Sequence, residues 1–238
     1  MQEKIIQIYG SSGVGKTTLI LQMIKGWILQ NEPNDKKYIL LIDAENTFPK
    51  LKFMRLKPIL FQYPNKEIIL KNINSNNIEY INYLLIYNPK SYQKQLNLIN
   101  LLLENFKKSY NKNNINLINN LDAIVIDSIS RLIRLEASKS KNAVQFYNNL
   151  EFMFEELIQP LLFIQSKLDC KMILNHQITT KPTGEIDPTF KELFGKIKSI
   201  WIYLDKNLKN NTYRMKVILD KSKILKKYKI TQNGLLFF

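Results

Sequence analysis

One short stretch near the start of the chain has the chemistry to hold a polyphosphate. Gly10-Ser11-Ser12-Gly13-Val14-Gly15-Lys16-Thr17 fits the pattern G-x-x-x-x-G-K-[ST]. Gly10, Gly13 and Gly15 leave successive backbone N–H groups free to curl around a phosphate. A helix starting just beyond, with Thr18 in its first turn, adds the positive end of its dipole. Lys16 would reach the β- and γ-phosphate oxygens, and the Thr17 hydroxyl would ligate Mg²⁺. Coincidence is the alternative, and the flanking strand and helix argue against it. The motif implies a nucleoside triphosphate such as ATP, and leaves open what hydrolysis serves.

Carboxylates follow at matching places. Asp127 closes Ala123-Ile124-Val125-Ile126-Asp127, four apolar residues and then an acid, the Walker B form. It would hold Mg²⁺ beside Thr17, whereas alone it would read equally well as a helix cap. Asp43 and Glu45 follow a second apolar run. A carboxylate near the γ-phosphate can orient water or take its proton, and Glu45, just past the strand end, is the better placed. Capping or turn formation is the competing role.

Such groups need a scaffold. Apolar runs at 4–9, 38–43, 84–87, 122–127 and 171–175 read as strands, the first ending in the glycine loop. Helical spacing marks 16–30, stopped by 31–33, as well as 91–108 and 143–157, the last broken or kinked by Pro160. A further helix is expected near Phe48 and Pro49, and 111–120 is a polar, low-complexity connection. Beyond residue 198 the pattern turns strand-rich, with strands at 199–205, 213–220 and 227–231 and a polar turn at 209–212. Strands alternating with helices predict an α/β fold with a mostly parallel central sheet, helices on both faces and antiparallel C-terminal strands. Ligands of such sheets sit at the carboxyl ends of the strands. We expect one domain over 1–238: a nucleotide-binding part (1–178), a connecting loop (179–198) and a β-rich extension (199–238).

Composition excludes other chemistries. One cysteine (Cys170) and one histidine (His176) leave no disulfide framework, no Cys/His zinc site and no HExxH protease. The longest apolar runs are strand-sized, and no signal-peptide layout precedes the first strand, so a soluble, cytoplasmic protein with no membrane contact is expected. A net charge of +15 favours a polyanion partner, or else lysine serving as general solubiliser.

The blocks GSSGVGKTTL (10–19), LLIDAENTF (40–48), AIVIDSISRLIR (123–134) and ILNHQI (173–178) together resemble the RecA family of recombination ATPases, in its archaeal RadA/RadB branch. The resemblance spans most of the chain and implies a RecA-like P-loop NTPase fold, with ATP and Mg²⁺ as cofactors. It implies Glu45 as the catalytic glutamate, Asp127 as the Walker B aspartate, and Gln177 as the γ-phosphate sensor relaying to a DNA-binding loop. The first core strand begins at Lys4, leaving no room here for the helical front module of the strand-exchange members. A bare core is similar to the branch's short paralogues, accessory proteins that bind ATP and DNA and hydrolyse slowly. There are departures: His176-Gln177 where the family usually reads Asn-Gln, Pro49 where an arginine is common, and Gly195 alone where a glycine pair often stands.

By resemblance the second DNA-binding loop lies in 179–198, with Lys181, Lys191, Lys196 and Lys198 beside Phe190 and Phe194. Lysines neutralise phosphates without reading sequence, and a ring can stack a base. The alternative is a solvated loop whose rings pack on the core. Lys221, Lys223, Lys226, Lys227 and Lys229 form a denser run that suits either a DNA track or a charged hairpin. His176 reads as a hydrogen-bonded strand-end residue rather than a base. The leading expectation is a DNA-binding, weakly hydrolysing recombination and repair accessory. The runner-up is a nucleotide-gated mediator acting on a RadA-type recombinase or a junction nuclease. A kinase is third, since Glu45 favours attack by water.

Overall fold

Strands carry the site, and their register decides what meets at its edge. The computed structural model describes residues 4–30, 37–46, 78–81, 84–112, 120–180, 186–207, 212–219, 222–231 and 234–238. Expectations for residues 31–33, the helix near Phe48 and Pro49, the tract 113–119, the turn at 209–211, Lys181 and Lys221 lie outside them. The strands are β1 (Ile5–Gly10), β2 (Tyr38–Asp43), β3 (Ile78–Ile81), β4 (Leu84–Tyr87), β5 (Leu121–Asp127), β6 (Lys171–Asn175), β7 (Ile178–Thr180), β8 (Ile186–Pro188), β9 (Ile200–Asn207), β10 (Thr212–Leu219), β11 (Ser222–Thr231) and β12 (Gly234–Phe237). Helix α1 is Lys16–Gln30, α2 Tyr92–Lys112, α3 Ile129–Ala137, α4 Ala143–Met153, α5 Gln159–Leu168 and α6 Lys191–Phe194.

Among the described residues ten strands form one sheet, in the order β12-β11-β10-β9-β1-β6-β5-β2-β4-β3. From β9 through β4 every pairing is parallel. Both flanks are antiparallel: β3 against β4 at one edge, and β10 to β12 continuing from β9 at the other. The expected mostly parallel sheet with antiparallel C-terminal strands is the one observed.

Alternation along each strand sends neighbouring side chains to opposite faces. Ile39, Leu41, Val125 and Ile173 meet the buried stripe of α1 (Ile20, Ile24, Ile28). Leu40, Ile42, Ile124, Ile126 and Leu174 meet the helices of the other face, through Leu96, Ile133, Leu157, Leu161 and Ile164. The β-strands are thus continuous apolar runs because both faces are covered.

Three regions differ from the sequence expectation. Ile129, Leu132 and Ile133 recur at helical spacing and bury one side of α3, directly after the β5 carboxylate. The expected break at Pro160 is a π-helical turn at Phe154–Ile158, just before the proline that cannot donate, and what differs is that the helix resumes beyond it as α5. Strand β11 is longer than expected and is followed by β12, because its lysines hide a strand in which Tyr228 is the one fully buried residue. No helix among the described residues is long and apolar enough to cross a membrane.

Candidate functional site

Parallel register brings the carboxyl ends of β1, β6, β5 and β2 to one level. Ile8 pairs with Asn175, Asn175 with Asp127, and Asp127 with Asp43. Above this edge lies a cavity of about 560 Å³, lined from the loop by Gly10, Ser12, Gly13, Gly15, Lys16, Thr17 and Thr18. Glu45, Asp127, Arg134, Asn175, Gln177, Ile178 and Ile230 complete its wall. Its size suits a nucleotide. Ser11 and Val14 of the motif do not line it; Val14 is buried in the core beside α1.

Backbone geometry explains the loop glycines. Gly10 has φ +151, and a Cβ there would stand 2.1 Å from the Leu204 carbonyl oxygen of β9, so only glycine lets β1 and β9 approach. Lys16 turns back over the loop, its Nζ donating to the carbonyls of Gly10 at 2.7 Å and Ser11 at 2.9 Å. Burial pushes this ammonium below its usual range, while Asp127 and Glu45 pull it back up. A half-buried cation that faces two carboxylates and is held by weak carbonyl acceptors is suited to a polyanion.

The acids occupy distinct settings. Asp127 is buried and accepts from the Asn175 side-chain amide. Asp43 is also buried, but lies away from the cavity; with its amide turned to suit its surroundings, Asn88 donates to Asp43 Oδ2 at 3.2 Å. Glu45 is the carboxylate of this turn that reaches the cavity. Its backbone N–H donates to the Asp127 carbonyl at 3.2 Å, and Arg131 of α3 donates to the Ala44 carbonyl beside it. Asn46, at φ +54, ends the described part of this turn.

Gln177 donates from Nε2 to Glu45 Oε1 at 3.1 Å, and its backbone N–H donates to Ser130 Oγ at 2.9 Å. The residues that the sequence pointed to as Glu45 and Gln177 are therefore hydrogen-bonded to each other across the cavity mouth. Neighbouring His176 faces away from them. It is fully buried, bonded through Nε2 to Gln7 Oε1 at 2.9 Å, and it lies between Phe194 and Trp201 with ring centroids 4.6 and 5.5 Å away. Burial pushes its pKa down to about 3, so it is a neutral packing residue and not a base.

Pairing continues among the described residues after β6. β7 and β8 form a two-stranded antiparallel ribbon, followed by the single turn α6. Phe194 is buried in the core and Phe190 is packed against it, so both rings point inward. Lys191 is exposed and donates to Asp187 Oδ1 at 2.7 Å; Lys196 and Lys198 are exposed as well. None of these three lines the cavity. Gly195 closes α6 because a Cβ there would stand 2.7 Å from the Lys191 carbonyl oxygen.

Sequence reasoning missed Asn175, Arg134, Ser130 and Ile230. Asn175 stands in the block ILNHQI, but its pairing with Asp127 is a matter of register that no single strand reveals. Arg134 follows from the helical spacing of α3, once that helix is recognised.

The oxygen donors fit a small hard cation. Among the described residues no group of three His, Cys, Asp or Glu side chains could hold a metal by itself. Thr17 and Asp127 on one wall suit Mg²⁺, which keeps waters and takes its remaining ligands from phosphate.

A mostly parallel sheet with a G-x-x-x-x-G-K-T loop at its carboxyl edge and antiparallel strands beyond β9 is a RecA-like fold. Among solved structures the chain is similar to the crystal structure of the RadB recombinase, with a TM-score of 0.61 and 20% identity over 97% of this chain and 89% of that one. At this identity the likeness establishes the fold. No protein-family model and no curated protein matches the chain.

Proposed function

We propose that this protein is an ATP- and DNA-binding accessory factor of homologous recombination and DNA repair, of the archaeal RadB type, with weak ATPase activity. The carrying observation is that Lys16, Thr17, Glu45, Asp127 and Gln177, drawn from four separate stretches of chain, line one cavity. The loop amides and Lys16 would hold the β- and γ-phosphates, and Thr17 and Asp127 would hold Mg²⁺. The metal's contribution when bound is neutralisation of charge on the phosphate oxygens. Glu45 accepts the proton of the attacking water, and its bond to Gln177 links that carboxylate to the start of β7. Beyond it Lys181, Lys191, Lys196 and Lys198 contact DNA phosphates without reading bases. The recombinase fold and the net charge of +15 support this reading, and the cytoplasm is its expected site of action.

A second reading is favoured by a specific observation. Phe190 and Phe194 pack inward and Lys191 is tied to Asp187, which suits a nucleotide-gated mediator acting on a RadA-type recombinase or a junction nuclease without touching DNA. Titrating single- and double-stranded DNA at two salt concentrations in the presence of ATP and Mg²⁺ separates the two. The accessory factor binds at low salt and weakens steeply as salt rises. Absence of binding at low ionic strength favours the mediator.

A further inference from the structure

The last two strands of the sheet reach back to the phosphate-binding loop. Tyr228 of β11 is buried, and its hydroxyl donates to the Val14 carbonyl at 2.6 Å. Burial raises the phenol pKa far above its ordinary value, so the group remains a donor at any working pH. Two residues further along β11, Ile230 lines the cavity. Ile230 and Leu235 of β12 lie 3.2 and 3.1 Å from where a Cβ on Gly15 would stand. Gln22 of α1 clasps the same hairpin, accepting from the Leu235 N–H at 2.9 Å and donating to its carbonyl at 3.3 Å.

The Val14 carbonyl and the Gly15 N–H belong to one planar trans peptide, so they point in opposite directions. A carbonyl held toward β11 turns that N–H away from β11. Gly15 sits at φ +92, where a glycine peptide flips at little cost unless something restrains it. The Tyr228 hydroxyl is such a restraint.

We propose that Tyr228 is a positioning residue of the nucleotide site: its hydroxyl fixes the Val14–Gly15 peptide so that the Gly15 N–H is presented to a bound phosphate. This rests on reading the cavity as a nucleoside-phosphate site. The C-terminal hairpin is then part of the site from outside it. Docking of the hairpin and binding of phosphate favour each other, because each is paid back by the same peptide orientation.

Tyr228→Phe removes one oxygen and keeps the ring. ATP and ADP affinity is expected to fall about tenfold, the size of one buried hydrogen bond, while adenosine affinity is unchanged. Unchanged ADP affinity, or an equal loss for adenosine, would overturn the proposal. A second measurement needs no variant: in the wild-type protein ADP should slow amide hydrogen exchange in residues 222–231 and 234–238. Protection confined to the loop at 10–17 would overturn it too. Wild-type protein that binds neither nucleotide would remove the nucleotide reading itself, and this proposal with it.

Discussion

The carboxyl edge of the parallel strands and the segment that follows β6 adjoin where β6 ends, yet they treat polar and aromatic groups in opposite ways. Along the edge, polar side chains point into a shared cavity and bond to one another, Asn175 to Asp127 and Gln177 to Glu45. In residues 186–198 the aromatic rings turn into the core, and the lysines are left on the outside, Lys191 bonded to Asp187. Preorganisation has a different source in each region. Parallel pairing holds strand ends at one level, so groups placed there arrive together and can brace one another. A short ribbon and one helical turn have no such common level. They are held by burying rings, and what remains for a partner is charge.

Three substitutions probe this contrast, beginning with the largest effect. Glu45→Gln keeps the shape of the edge and removes the carboxylate proposed to take the water's proton. Single-turnover phosphate release should slow by about 10²–10⁴-fold with ATP affinity little changed. An unaltered rate would mean that the edge is not where water is activated. Phe194→Ala addresses the other region. A ring buried among His176, Phe154 and the core should cost about 3–5 kcal/mol on truncation, read as a shift of the denaturant midpoint. A small stability change with a large loss of DNA affinity would show instead that this ring leaves the core to stack on bases.

His176 lies where the two regions join, and its effect is graded by pH. Its pKa is near 3 in the folded protein and near 6.5 once exposed, so below pH 6.5 the unfolded chain binds the extra proton. Its contribution is complete above pH 6.5 and falls away as pH drops toward 3, at no more than about 1.4 kcal/mol per pH unit. Thermal melts between pH 5 and 8 should show a shallower pH dependence for His176→Asn than for the wild type. Parallel curves for the two proteins would contradict the burial argument.

Much of the edge was legible in the order of residues. Gly10, Lys16 and Thr17 follow a fixed spacing, and Asp127 ends an unbroken apolar run, so each is anchored to a strand whose place is recognisable. Glu45 could be preferred over Asp43 because it lies past the strand end, and the cavity does receive Glu45 while Asp43 turns to Asn88. Partners across strands were not legible, because Asn175 meets Asp127 through register between segments 48 residues apart. Pro160 marked the interruption but not the helix beyond it, because a proline reads the same at a break as at a helix start. Strand β11 was obscured by lysines on both of its faces, which masked the alternation that burial of Tyr228 would otherwise reveal.

The proposed function requires the loop between β1 and α1 to hold a nucleoside triphosphate through Lys16. Its most direct test is calorimetric titration of ATP with Mg²⁺ into the wild-type protein and the Lys16→Ala variant, both checked for folding by circular dichroism. The wild type should bind saturably and the variant should lose about a hundredfold in affinity, the size of a charge-assisted contact. Equal affinity in the two proteins, or no binding by a folded wild type, would contradict it.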